Sequence, residues 1–273
     1  RSLGFGFSSW SAISAAVIQL VCSMFVDDAD LVHSGPTNYT SGAEVASELQ
    51  DALDSWDKLL RITGGALEKD KSYWCLIDYE RRQGKWCYKS IGSIPGQLLL
   101  YNDQIGEREP IQRISAHTAK KALGNYTRPD GLMHEEVKYL RGKARVWADC
   151  LRAKRIRKDD AWYCVNGSIL RTIEYPLVAT SLTKKQCAHI MAPILYAMLP
   201  TIHVQRNMPR VLVYGPSKYQ GHGINDPHTI QLIMHLHCIQ RHCTRSTPTG
   251  DFINSNMENL TLELGSGTPF WDL

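Results

Sequence analysis

Residues 22–33 read Cys-Ser-Met-Phe-Val-Asp-Asp-Ala-Asp-Leu-Val-His. The apolar run Met24-Phe25-Val26 enters a pair of aspartates, Asp27 and Asp28, and the apolar pair Leu31-Val32 follows Asp30 at once. Two short strand-like runs parted by acids predict a tight β-hairpin with carboxylates at its tip. Neighbouring strand residues point to opposite faces, so paired aspartates at a turn do not fill a core. Clustered carboxylates repel one another unless a cation neutralises them. Hard oxygen ligands of this kind suit Mg2+ (or Mn2+ in its place), which is commonly held by one or two carboxylates plus substrate phosphates.

Phe25-Val26-Asp27-Asp28 resembles the Tyr/Phe-x-Asp-Asp box of reverse transcriptases, and the phenylalanine-first spelling is similar to the retrotransposon and group II intron branches. In that family the box is a hairpin of the palm whose aspartates hold the catalytic metals. The resemblance implies Asp27 as the main metal ligand, Asp28 as a weaker one and Asp30 as a turn residue.

Working outward toward the C-terminus, Pro36 and Asn38 mark a loop, and Ser41 opens a helix with Glu44 completing a capping box. Val45, Leu49, Leu53, Trp56 and Leu60 follow at helical spacing, and Gly64-Gly65 ends the run. Lys71 then stands just before a strand, where the family has a loop lysine near the incoming nucleotide. The resemblance implies proton donation to the pyrophosphate leaving group. Residues 72–91 predict a hairpin turning at Arg81 to Lys85, and short strands are expected over 97–101, 111–115 and 118–126. Leu123-Gly124, within the last of these, resembles the Leu-Gly of the family's primer-grip hairpin.

From residue 134 the pattern becomes helical. Val137, Leu140, Ala144, Trp147 and Leu151 form an apolar stripe, and Lys138, Arg141, Arg145 and Arg152 repeat its spacing one residue displaced. With Lys143 and Lys154 included, nine basic residues between 138 and 158 face a single acid, Asp149. One face packs and its neighbour is positive, which suits phosphate contacts on a template–primer duplex. Following a palm, this resembles the first thumb helix.

Further helices are expected over about 159–174, stopped at Tyr175-Pro176, from a second capping box at Thr183 and Gln186 to Leu199-Pro200, and over about 227–242. Val211 to Tyr214 reads as extended. The loop from Gly215 to Gly223 lacks the Gly-Lys-Ser/Thr ending of a phosphate loop. His235, Cys238 and His242 share a helical face, but no second Cys-x-x-Cys accompanies them and no zinc site is expected.

Upstream of the hairpin, residues 2–26 carry no charge. Six serines, Gln19 and two glycines make this stretch a poor membrane span, and a buried helix followed by a buried strand is expected. Gly4 through Ile18 resembles a degraded Gly-Gln-Gly turn of the same family.

The 273 residues suit one large or two modest domains, and the net charge of +4 points mildly to anionic partners. Eight cysteines without regular spacing read as reduced thiols, so the chain is expected to be intracellular (nucleus or cytoplasm), not secreted and not in a membrane. The four Asn-x-Ser/Thr sequons, at Asn38, Asn125, Asn166 and Asn259, read as chance.

The resemblance implies an α+β fold. Residues 1–132 form a partial palm with an antiparallel sheet and packed helices, 133–243 a mostly helical thumb-like region, and 244–273 a loosely ordered tail. The function implied is RNA-directed DNA polymerisation by two-metal phosphoryl transfer on RNA/DNA template–primer and dNTP. The family also needs an aspartate on an earlier strand. Nothing acidic precedes Asp27 here, so the chain alone is expected to be inactive unless a fingers–palm fragment completes it. The alternatives are an inactive retroelement relic that only binds nucleic acid, and a metal-dependent glycosyltransferase using Asp28-x-Asp30.

Overall fold

The structure is a computed structural model, and it describes residues 7–25, 28–35, 40–103, 105–154 and 156–268. It is a mixed α and β protein whose strands are short and whose helices dominate the C-terminal half. The chain divides into two compact units, Arg1–Thr118 with His242–Leu273, and Ala119–Arg241.

In the first unit, β1 (Phe7–Trp10) and β2 (Val17–Leu20) form an antiparallel hairpin, with Phe7 opposite Leu20. The expected buried helix is therefore a hairpin, and Trp10 and Val17 are exposed on it. Serines and β-branched residues compete with helix formation and fit a half-exposed strand pair instead. β3 (Cys22–Phe25) and β4 (Asp28–Leu31) pair antiparallel, Phe25 opposite Asp28 and Cys22 opposite Leu31. The hairpin expected from residues 22–33 is thus present.

α1 (Gly42–Ile62) begins at the expected capping box: Ser41 accepts from the Glu44 amide at 3.2 Å, and Glu44 accepts from the Ser41 amide at 2.7 Å. It buries Ala46 and Leu53 against Trp74, Leu98, Leu100 and Ile111, with Leu31 of β4 packed at the margin. β5 (Tyr73–Cys75), β6 (Tyr79–Arg82), β7 (Lys85–Tyr88), β8 (Leu99–Asn102), β9 (Glu107–Pro110) and β10 (Gln112–Ile114) follow.

The expected single palm sheet is replaced, among the described residues, by pairs of strands. β6 pairs with β7, β8 with β9, and β5 with β10 in parallel. Strands of three or four residues have little edge to offer a third partner, and side chains occupy what remains. The Gln50 amide both donates to the Leu99 carbonyl at 2.9 Å and accepts from the Leu99 amide at 2.7 Å, closing part of the β8 edge.

In the second unit, β11 (Lys120–Ala122) and β12 (Asn125–Thr127) are a hairpin, and Leu123-Gly124 is its turn rather than part of one strand. α2 (His134–Ala153) lays Leu140, Ala144, Ala148 and Leu151 into the main core. α3 (Lys158–Cys164) runs through a π-helical segment, Val165–Ile169, into α4 (Leu170–Leu177). Pro176 lies inside α4 instead of stopping before it; it and Leu177 are buried, so core packing outweighs the lost N–H.

α5 (Lys184–Thr201) starts at the expected Thr183–Gln186 capping box and buries Ile190, Met191, Ile194, Leu195, Met198 and Leu199. Residues 210–214, expected extended, form α6 (Arg210–Tyr214), which buries Val213 in the same core. In the loop that follows, a Cβ on Gly221 would meet the Gly215 carbonyl at 2.1 Å, so the glycine there permits a backbone-to-backbone approach.

α7 (Pro227–Cys243) appears where expected. Its buried Gln231 accepts from the Leu182 amide at 2.9 Å and donates to the Leu182 carbonyl at 3.0 Å. The polar stretch from Thr244, expected as loosely ordered, contains α8 (Pro248–Glu263) in the first unit. Thr247 caps it, accepting from the Gly250 amide at 3.2 Å with Pro248 following, a start signal that composition alone conceals. Glu258 on α8 accepts from the Ser11 hydroxyl and, at 2.6 Å, from that of Ser14.

Candidate nucleic-acid interface and acidic hairpin

The acidic hairpin has Asp28 and Asp30 on one face of β4, two residues apart, and both are exposed. Asp27 lies outside the described residues. The hydroxyl of Tyr73 on β5 is near enough to feel the pair. Burial raises its pKa first, and the charges of Asp30 and Asp28 raise it further. Cys22 on the facing strand is raised by burial and then by Asp30. The charges of Asp30 and Asp28 are thus felt at Tyr73, a neighbour that is not legible from sequence. Two carboxylates on one strand face fit the modest protein share of a Mg2+ site. Among the described residues no group of three or more His, Cys, Asp or Glu side chains converges on one point. Lys71 is exposed in the turn ahead of β5, its amide bonded to the Glu68 carbonyl at 3.3 Å. No interaction joins it to Asp28 among the described residues.

The cations of α2 divide into two groups. At about 100° per residue, Lys138, Arg141, Arg145 and Arg152 fall within one narrow arc beside the buried stripe. Lys143 falls on the opposite edge of that stripe, about half a turn from Arg145 around the axis. It turns back onto Tyr139, with its ammonium 4.6 Å from the ring centroid, so it does not belong to the ridge expected from sequence.

The ridge members are also unequal. Lys138 makes a loose pair with Glu135 at 3.7 Å, and Arg145 is exposed. Arg152 bonds Asp149 at 2.8 Å and lies 5.8 Å from the Tyr196 ring centroid. Exposed pairs of this kind are worth only about 0–1 kcal/mol and are readily exchanged for a phosphate. Lys154, the residue after α2, is exposed.

Arg141 has a different task. Pro193 inside α5 has no N–H, so the His189 carbonyl four residues earlier loses its helical partner. Arg141 donates to that carbonyl at 3.3 Å and meets the His189 ring. It ties α2 to α5, whereas sequence spacing alone assigns it to the phosphates.

Beyond the opposite edge of α2 sits a group that sequence reasoning missed. Glu136, in the first turn of α2, is fully buried and accepts from the Tyr126 amide at 2.8 Å. Burial raises its pKa, against the lowering pull of Lys143 and Lys121. The Tyr139 hydroxyl is pushed the other way, held low by hydrogen bonding from Lys143 and by the charges of both lysines. The doublet Lys120-Lys121 before the Leu-Gly turn is the available signal.

His235 on α7 meets the Leu177 carbonyl at 3.1 Å through its Nε2. No helix among the described residues is long and apolar enough to cross a membrane. No protein-family model matches the chain, and no curated protein matches it in sequence.

Proposed function

We propose that the chain binds nucleic acid as the palm-and-thumb portion of an RNA-directed DNA polymerase of the retrotransposon or group II intron type. The observation that carries this reading is the ridge on α2. The helix is anchored through Leu140, Ala144, Ala148 and Leu151, and Lys138, Arg145 and Arg152 stand outside that core on one adjoining arc. A rigid helix with cations at steps of a turn or two matches the spacing of phosphates better than a mobile basic tail does. The β3–β4 hairpin supports the same reading, since it forms where the Phe25-Val26-Asp27-Asp28 box requires a strand pair.

On this reading Asp27 and Asp28 would hold Mg2+. A divalent ion held there would supply Lewis-acid activation of a hydroxyl and charge neutralisation on a leaving pyrophosphate. Lys138, Arg145, Arg152 and Lys154 grip the duplex backbone, and Arg141 keeps α2 seated on α5 while they do so. Lys71 stands as the proton donor to the leaving group.

The test is a fluorescence-anisotropy titration of a primer–template duplex over a series of salt concentrations. Wild type should show log K falling linearly with log salt. The variant Lys138→Ala/Arg145→Ala/Arg152→Ala should flatten that slope by about 0.9 for each phosphate that is no longer neutralised. An unchanged slope in a variant with native far-UV circular dichroism overturns the reading.

A further inference from the structure

The β11–β12 turn, α2 and α4 enclose a pocket of about 200 Å3 inside the second unit, on the side of α2 away from the phosphate ridge. Its walls include Lys121, Glu136, Tyr139, Lys143, Thr172 and Tyr175.

The chemistry inside the pocket is incomplete. Glu136 has no solvent exposure, and its Oε2 is satisfied by the Tyr126 amide at 2.8 Å. Its Oε1 is buried without a hydrogen-bond partner among the described residues. Buried acceptors are nearly always satisfied, because leaving one bare forfeits its solvation for nothing. At the mouth, Lys121 and Lys143 place their ammonium groups 5.2 and 4.6 Å from the Tyr139 ring centroid, and neither is ion-paired among the described residues. Tyr175 forms a second aromatic wall, its hydroxyl donating to the Leu123 carbonyl at 3.3 Å.

The complement of these groups is specific. An acceptor in the depth asks for an N–H donor. Two cations at the rim ask for an anion. Tyrosine side chains among the lining ask for a flat body. Inorganic phosphate alone would leave Glu136 Oε1 bare, and a simple amine would leave both lysines unneutralised. The volume is below the roughly 300–1,000 Å3 of sites that bury drug-sized ligands, a size for one base rather than two.

We propose that this pocket binds a single nucleotide carrying an amino-bearing base. The base donates an N–H to Glu136 Oε1 against the tyrosine walls, and the phosphate lies between Lys121 and Lys143. The proposal deepens the nucleic-acid reading by adding a single-nucleotide subsite, and it stands on residues that the duplex ridge does not use.

The test is isothermal titration of the whole chain with AMP, CMP, adenosine and inorganic phosphate, run beside the duplex titration. The nucleoside monophosphates should bind at least tenfold more tightly than adenosine or inorganic phosphate. Lys121→Gln and Lys143→Gln should each weaken AMP severalfold while sparing adenosine. Glu136→Gln, which keeps an acceptor for Tyr126 but offers the base an amide N–H, should bring AMP down toward inorganic phosphate. Equal binding of phosphate and AMP, or indifference to Glu136→Gln in a natively folded variant, overturns the proposal. Duplex binding with no nucleotide binding overturns this subsite alone. Nucleotide binding with an unchanged duplex salt slope in the ridge variant overturns the ridge alone.

Discussion

Leu123 and Gly124 have φ values of 48° and 90°. Positive φ at both central residues of a two-residue hairpin loop is the mark of a type I′ turn, whose preferred sequence is Asn-Gly. The chain therefore satisfies the second position and strains the first. A left-handed leucine costs about 1–2 kcal/mol, and asparagine relieves part of that through its short polar side chain. Leu123 is 48% exposed, so replacing it gives up little burial. Leu123→Asn should therefore stabilise the second unit by roughly 0.5–1 kcal/mol.

Gly124→Ala should do the opposite. An added Cβ would lie 3.4 Å from Tyr175 Cε1, an ordinary contact, so sterics contribute little. The loss comes from forcing alanine to positive φ, about 1 kcal/mol after the entropy alanine removes from the unfolded chain. Urea unfolding followed by far-UV circular dichroism measures both. Opposite signs at adjacent residues are the signature, and a destabilised Leu123→Asn or an unaffected Gly124→Ala would refute the turn assignment. The result bears on function, because the Tyr175 hydroxyl bonds the Leu123 carbonyl and the turn thereby positions one wall of the nucleotide pocket.

Three further outcomes are expected. Burial raises the Glu136 pKa above its unfolded value, so its stabilising contribution is complete below the unfolded pKa and is lost as pH rises through the folded one. Glu136→Gln should then gain stability relative to wild type on going from pH 4 to pH 7 in paired urea titrations; a gain confined to low pH would mean that burial does not dominate. Glu258 has the reverse sign, since the Ser11 and Ser14 hydroxyls lower its pKa, and its contribution fades as pH falls. At the acidic hairpin, Mn2+ broadening of resonances near Tyr73 should be abolished by Asp27→Asn and survive Asp30→Asn. The reverse pattern would favour the pair that shares a face of β4, Asp28 with Asp30, and with it a nucleotide-sugar motif.

Chemistry that acts within a few residues is legible in the sequence. Ser41 with Glu44 and Thr183 with Gln186 are reciprocal caps closed inside one turn, and both helices start where those pairs stand. The Cys22–Leu31 hairpin needs only two apolar runs and a break. Thr247-Pro248 is just as local a signal, but the surrounding Ser, Thr and Gly mask it, and composition points away from α8. Prolines mislead for a different reason. Pro176, Pro193 and Pro200 each end a helix by local rules, yet all three lie within helices whose neighbours are core residues.

The candidate site divides along the same line. The ridge is periodic, so its positions follow from counting, but counting cannot distinguish Arg145, which is exposed, from Arg141, which serves a carbonyl that Pro193 leaves bare. Glu136 is hidden by a sufficient local explanation, because an acid in the first turn of a helix favours the helix dipole and calls for nothing more. Tertiary structure adds the decisive fact: one carboxylate oxygen is taken by the Tyr126 amide, the other is buried without a partner among the described residues, and Glu136 lines a pocket together with Lys121 and Lys143. A helix-dipole role would be served equally well by an exposed carboxylate. Burying it costs solvation, and a donor arriving through the pocket would restore part of it, which is the asymmetry the proposed nucleotide subsite rests on.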